Sequence, residues 1–178
     1  MLHATFLNIN KDNIEMTVIA MEAINRIMPS IGQAFAVKDQ RDYIMSGLIN
    51  AGNFSDDDIQ ELAIQALIVS VDLGYDNMDE YINDIGMLSM KLLAGQNMQT
   101  MRSMLLFWTA LCEADIKKMN DGTSKNYASL GVDAMFDIVS NGLNITELED
   151  DERDLAQTTD EEKWTVMRAA ATLLQKIA

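Results

Sequence analysis

The chain has 178 residues, with 28 acidic and 13 basic side chains, a formal net charge of −15, and 48% hydrophobic residues. That apolar share can build a core and excludes a disordered acidic tail. The acidic field repels nucleic acid and anionic lipid and draws in basic partners, while a lone cysteine, Cys112, excludes an internal disulfide and fits a reducing compartment.

No apolar run is long enough to span a membrane. The start, Met1-Leu2-His3-Ala4-Thr5-Phe6, lacks the basic region of a secretion signal. An intracellular, soluble protein is the expectation. One proline and nine glycines leave long stretches free for helix. The 14 methionines are either adaptable core filler or part of a pliable binding surface.

Helical spacing runs through the chain. From Ile59, the apolar positions Leu62, Ala63, Ala66, Leu67, Val69 and Val71 recur mostly at three and four residues. Ser55-Asp56-Asp57-Asp58 precedes them, with Ser55 the predicted cap and the acids suited to the positive helix end. Gly74 is the predicted stop. A second helix is predicted from about Asn77 to Leu93, through Met78, Tyr81, Ile82, Ile85, Leu88 and Leu92. A third runs from near Asn97 through Met98, Met101, Leu105, Trp108 and Leu111 to about Lys118. Asp121-Gly122-Thr123-Ser124 reads as a turn and cap, followed by a helix from Tyr127 to Gly142. Thr159-Asp160-Glu161-Glu162 reads as a capping box opening a last helix through Trp164, Met167, Ala170, Leu173 and Leu174.

The chain also echoes itself. Ala20-Met21-Glu22-Ala23-Ile24 recurs 43 residues further on as Ala63-Ile64-Gln65-Ala66-Leu67, and Met16 and Ile19 map by the same offset onto Ile59 and Leu62. A further 39 residues carries Leu62 and Ala66 to Met101 and Leu105. About 40 residues per helix pair is the period of HEAT and armadillo arrays. The expected fold is an all-α HEAT-repeat superhelix of antiparallel helix pairs. Its units fall at 1–30 (partial), 39–74, 76–118 and 123–178, with an acidic loop at 144–162.

Catalysis finds little support. His3 is the only histidine, and Cys112 lies in an apolar run and reads as a small buried hydrophobe. Zinc-ligand spacing, a calcium-loop order and a phosphate-binding glycine loop are all absent from the sequence. The expectation is a binding protein with no catalytic residue, metal or cofactor. The sequons at Asn53 and Asn144 are incidental in an intracellular chain.

The sharpest feature is the acidic segment, with Glu147, Glu149, Asp150, Asp151, Glu152, Asp154, Asp160, Glu161 and Glu162 opposed only by Arg153. A long polar insertion in a repeat array lies on one face and is often a binding face; the plainer reading is a solvated loop with helix-capping acids. Trp164 follows those acids directly. Its indole either lies against the stem of a basic side chain or packs between repeats. Trp108, inside an apolar helix, is expected in the core.

Arg41-Asp42-Tyr43-Ile44-Met45 followed by Ile49-Asn50-Ala51, and then Tyr81-Ile82 with Leu88 and Met90, are similar to the starts of successive first-layer helices in the importin-beta family of nuclear transport receptors. Leu106-Phe107-Trp108-Thr109-Ala110-Leu111-Cys112-Glu113 resembles that family's Phe-Trp-Ser-x-x-Cys-acid signature. Thr123-Ser124-Lys125-Asn126-Tyr127-Ala128 resembles the following helix start, and the acidic run ending in Trp164, then Ala169-Ala170-Ala171, resembles its acidic loop and the helix beyond. The series is ordered along nearly the whole chain and resembles an interior fragment of such a receptor.

The resemblance implies that the acidic loop (Glu149, Asp150, Asp151, Glu152, Asp154, Asp160, Glu161, Glu162) and Trp164 meet a basic import signal or importin-alpha-like adaptor and Ran-GTP. It implies that Leu2, Phe6, Tyr43 and Ile44 line an outer groove for Phe-Gly nucleoporin repeats. It also implies residence in cytoplasm and nucleus and at the nuclear pore, with no nucleic acid or membrane as partner. The loop departs from the family pattern in mixing Glu, Asp, Thr and Gln and in placing Lys163 before Trp164. A different HEAT scaffold, of phosphatase or cytoskeletal type and also binding a basic protein, is the alternative.

Overall fold

Asn13, Asp56 and Asn97 cap three of the helices, and the apolar stripes between the helices pack. The computed structural model describes residues 5–95, 97–130, 166 and 168–176, and its regular elements there are helical, with no strand among the described residues. No helix among them is long and apolar enough to cross a membrane. The chain divides into two compact units, Met1–Leu88 and Ser89–Ala178.

In the first unit, α1 (Ile14–Ile27) is capped by Asn13, whose side chain accepts from the Met16 amide at 3.1 Å. Thr17 Oγ1 accepts from Asn10 N at 2.9 Å and lies 2.8 Å from the Asn10 carbonyl, pinning the loop before α1. A 3-10 turn (Met28–Ser30) with Pro29 in its first turn leads to the short α2 (Gly32–Ala36). Then come α3 (Lys38–Gly52) and α4 (Asp57–Gly74), a helical hairpin on a four-residue turn. Inside that turn, Gln60 Nε2 donates to the Phe54 carbonyl at 2.6 Å.

The self-similarity has a structural meaning. Ala20, Met21 and Ile24 on α1 are buried, and so are their counterparts Ala63, Ile64 and Leu67 on α4. The two helices pack on each other, with Asn25 Nδ2 donating to the Leu62 carbonyl at 2.8 Å. Met16 and Ile19 remain exposed, whereas Ile59 is fully buried.

Two local expectations need correction. The cap of α4 is Asp56, which accepts from Ile59 N at 3.1 Å, and not Ser55. A carboxylate at the positive helix end is favoured by charge as well as by hydrogen bonding. The helix predicted from Asn77 starts later: Tyr75–Glu80 forms a 3-10 turn, and α5 covers Ile82–Leu93. Tyr81 interrupts the two at φ −122°, where its side chain is held by groups on α3.

In the second unit, α6 (Met98–Asn120) begins at Asn97, whose side chain accepts from Thr100 N at 2.9 Å, and carries Lys117 and Lys118 in its last turn. Ser89, near the end of α5, accepts from Trp108 Nε1 at 3.1 Å and donates to Met104 Sδ at 3.0 Å. Trp108 is buried, as expected, and meets fully buried Phe107 edge-on at 5.6 Å. The turn after α6 passes through Gly122 at φ +69°, a conformation that favours glycine. Beyond it, buried Asp115 accepts from Ala128 N at 2.7 Å, capping the helical turn at 128–130 from the side of α6. The helical residues 168–176 carry Lys176, 3.1 Å from Glu113 on α6. The rest of the helix predicted to Gly142, the capping box at Thr159 and the acidic loop lie outside the described residues.

Candidate functional site

Of the residues singled out in the sequence, the structure brings two together in the first unit. Phe6 and Tyr43 meet edge-on, ring centroids 5.4 Å apart at an interplanar angle of 74°. The Phe6 ring lies directly against Gly47, one turn along α3 from Tyr43, where a Cβ would overlap it. Phe6 is 7% exposed, Tyr43 38% and Ile44 2%. Tyr43 alone of these presents substantial surface to a partner. Ile44 is core, because the next residue along a helix points about 100° away. Phe6 packs its ring directly on α3. Leu2 lies outside the described residues, as do Glu149, Asp150, Asp151, Glu152, Asp154, Asp160, Glu161, Glu162 and Trp164.

A charged cluster fixes the helix that carries Tyr43. Arg41, 4% exposed, donates from Nη1 to the Phe35 carbonyl at 2.9 Å, from Nε to Tyr81 Oη at 3.1 Å, and from Nη2 to Glu80 at 3.3 Å. Tyr81 donates to Asp42, and Lys38 bridges Glu80 and Asp42, the latter at 3.2 Å. Residues about 40 positions apart thus tie α2, α3 and the start of α5 together. The Tyr81 hydroxyl, followed by Lys38, holds the Asp42 carboxyl below its usual range. Hydrogen bonds to Glu80 and then Asp42 raise Lys38. Burial, followed by the Asp42 hydrogen bond, raises the Tyr81 phenol. Each of these three shifts favours the form that Asp42, Lys38 and Tyr81 already hold at neutral pH, which suits an anchor. The cluster was not legible as one set in the sequence, although Arg41-Asp42 and Tyr81 each mark a helix start there.

Cys112 is buried, and its thiol is pushed up to about 11, by burial first and then by the charges of Asp115 and Glu113. Native protein at pH 8 is therefore expected to react with iodoacetamide roughly a hundredfold more slowly than an unperturbed thiol, because so little thiolate is present. Alkylation followed by intact mass, with and without denaturant, checks this; equal rates would contradict it. Among the described residues no group of three or more His, Cys, Asp or Glu side chains could hold a metal ion.

No family model matches the chain, and no curated protein matches it. Among solved structures it is similar to a crystal structure of importin beta in an ammonium sulfate condition, with a TM-score of 0.81 and 21% sequence identity. The match covers 98% of this chain and 21% of the other, so the chain spans about a fifth of that protein's length. The fold is an importin-beta-like HEAT-repeat fold.

Proposed function

We propose that the chain acts as a segment of a nuclear transport receptor, binding Phe-Gly nucleoporin repeats on its outer helices and a basic import signal or adaptor, and Ran-GTP, through its acidic loop. The observation that carries this reading is the extent of the fold likeness, 98% of the chain, combined with the order of the sequence resemblances. Tyr43 supports it, standing 38% exposed beside the Phe6 ring on a helix tied down by the Arg41 cluster. The net charge of −15 supports attraction of a basic partner. Such a segment works in cytoplasm and nucleus, at the pore, and without catalysis.

Two titrations by fluorescence anisotropy test the reading. A Phe-Gly repeat peptide should bind, and Tyr43→Ala should weaken it about tenfold, the loss of one aromatic anchor. A basic signal peptide should bind less tightly as salt rises, and neutralising Asp160, Glu161 and Glu162 should weaken it further. A folded chain that binds neither peptide would overturn the proposal. Binding of the basic peptide without the Phe-Gly peptide would favour a different HEAT scaffold.

A further inference from the structure

One line of apolar side chains runs along α1 in the open. Met16, Ile19, Ala23 and Ile27 follow one another three and four residues apart, so they share a face. Met16 is 44% exposed and Ile19 54%, and Ala23 and Ile27 are half-buried. The same line recurs 43 residues on as Ile59, Leu62, Ala66 and Ser70 along α4, and there it is covered. Ile59, Ala66 and Ser70 are fully buried, and Leu62 is half-buried. α1 packs on that helix, and its Asn25 Nδ2 donates to the carbonyl of Leu62, a member of the line, at 2.8 Å. A line of the same spacing on α6, through Thr100, Ser103, Phe107 and Leu111, is buried as well. We propose that the line through Met16, Ile19 and Ala23 is a stacking surface for a helix of an adjoining repeat of the same array, seated on α1 as α1 is seated on α4. This goes beyond the transport reading and does not depend on it.

The interface already built between α1 and α4 specifies the occupant. Ile19 stands where Leu62 stands, so its carbonyl is the equivalent acceptor, and the incoming helix carries an amide side chain in the place of Asn25. A second copy of this chain is the poorer candidate. Its own α1 is already engaged on α4, and a net charge of −15 repels a like chain. The exposed parts of one four-residue line also fall well short of the roughly 1,000 Å² that a free partner buries. A repeat joined through the backbone needs no such area, because linkage holds it at an effective concentration on the order of millimolar. Stacking of this kind is how each unit of a repeat array covers the apolar face of its neighbour.

A thiol placed on the line tests this, since Cys112 is buried and reacts slowly. The full chain with Ile19→Cys is compared with the same chain extended at its N-terminus, through a flexible Gly-Ser linker, by a second copy of residues 10–30. That segment contains the helix that covers the line on α4. Maleimide alkylation is followed by intact mass, with circular dichroism melts confirming folding. The appended helix should slow alkylation about tenfold if it is docked in about nine-tenths of molecules. A scrambled segment should give no protection, and Asn25→Ala in the appended copy alone should relieve part of it. Met16→Cys, on the same line, reports in place of Ile19→Cys if that variant fails to fold. Equal rates with the native and scrambled segments would overturn the proposal. Protection that instead grows with the concentration of the unextended chain would assign the line to a second copy and overturn it too.

Discussion

Phe107→Ala is expected to lower the unfolding free energy of the Ser89–Ala178 unit by about 3–5 kcal/mol, the usual cost of emptying a fully buried aromatic site. Phe107 is fully buried in the middle of α6, and its edge contact with Trp108 is lost along with its area. Collapse around the vacancy is opposed on the Trp108 side, because the indole is tied through Nε1 to Ser89, and Ser89 in turn to Met104. Phe107→Leu keeps most of the volume and should cost far less. Urea unfolding followed by Trp fluorescence measures both; a loss under about 1 kcal/mol for the alanine variant would mean that α6 repacks freely.

The second large effect is expected at Arg41. Arg41→Ala should destabilise the Met1–Leu88 unit by about 2–3 kcal/mol. Most of this comes from two hydrogen bonds made by a nearly buried guanidinium, to the Phe35 carbonyl and to Tyr81. The ion pair with Glu80 adds little, since that carboxylate is about a third exposed and screened by water. Arg41→Lys should recover little of the loss, because one ammonium cannot span three acceptors lying in different directions. The discriminating comparison is Glu80→Gln, which removes the charge pair alone and should cost well under 1 kcal/mol. A glutamine variant as unstable as Arg41→Ala would place the energy in charge pairing and not in the two buried hydrogen bonds. Loss of the anchor should also be felt at Tyr43, two residues along α3.

What the sequence made legible follows from the range of each interaction. Caps and turns are local, so Asn97 at the start of α6 and the turn at Gly122 could be read directly. The cap of α4 slipped by one residue because Ser55 and Asp56 are both good caps, and only the backbone decides between them. Repetition made the packing of α1 on α4 readable, since Ala20-Met21 and Ala63-Ile64 fill equivalent positions. The Arg41–Tyr81 cluster stayed hidden because its partners lie about 40 residues apart and meet only once neighbouring helices stack. Phe6 and Tyr43 do meet, but periodicity could not distinguish surface from core at adjacent positions: Tyr43 faces out, while Ile44 faces in. The acidic loop, Leu2 and Trp164 lie outside the described residues.

The carboxylate of Asp115 gives the array a direction. It sits on α6, yet the amide it holds belongs to Ala128, beyond the turn, so the start of the next helix is organised by a helix already in place. Nearest-neighbour coupling of this kind lets structure spread from one repeat into the next. On a growing chain α6 can order first and then template the turn at 128–130, so that at this point synthesis and folding proceed in the same sense.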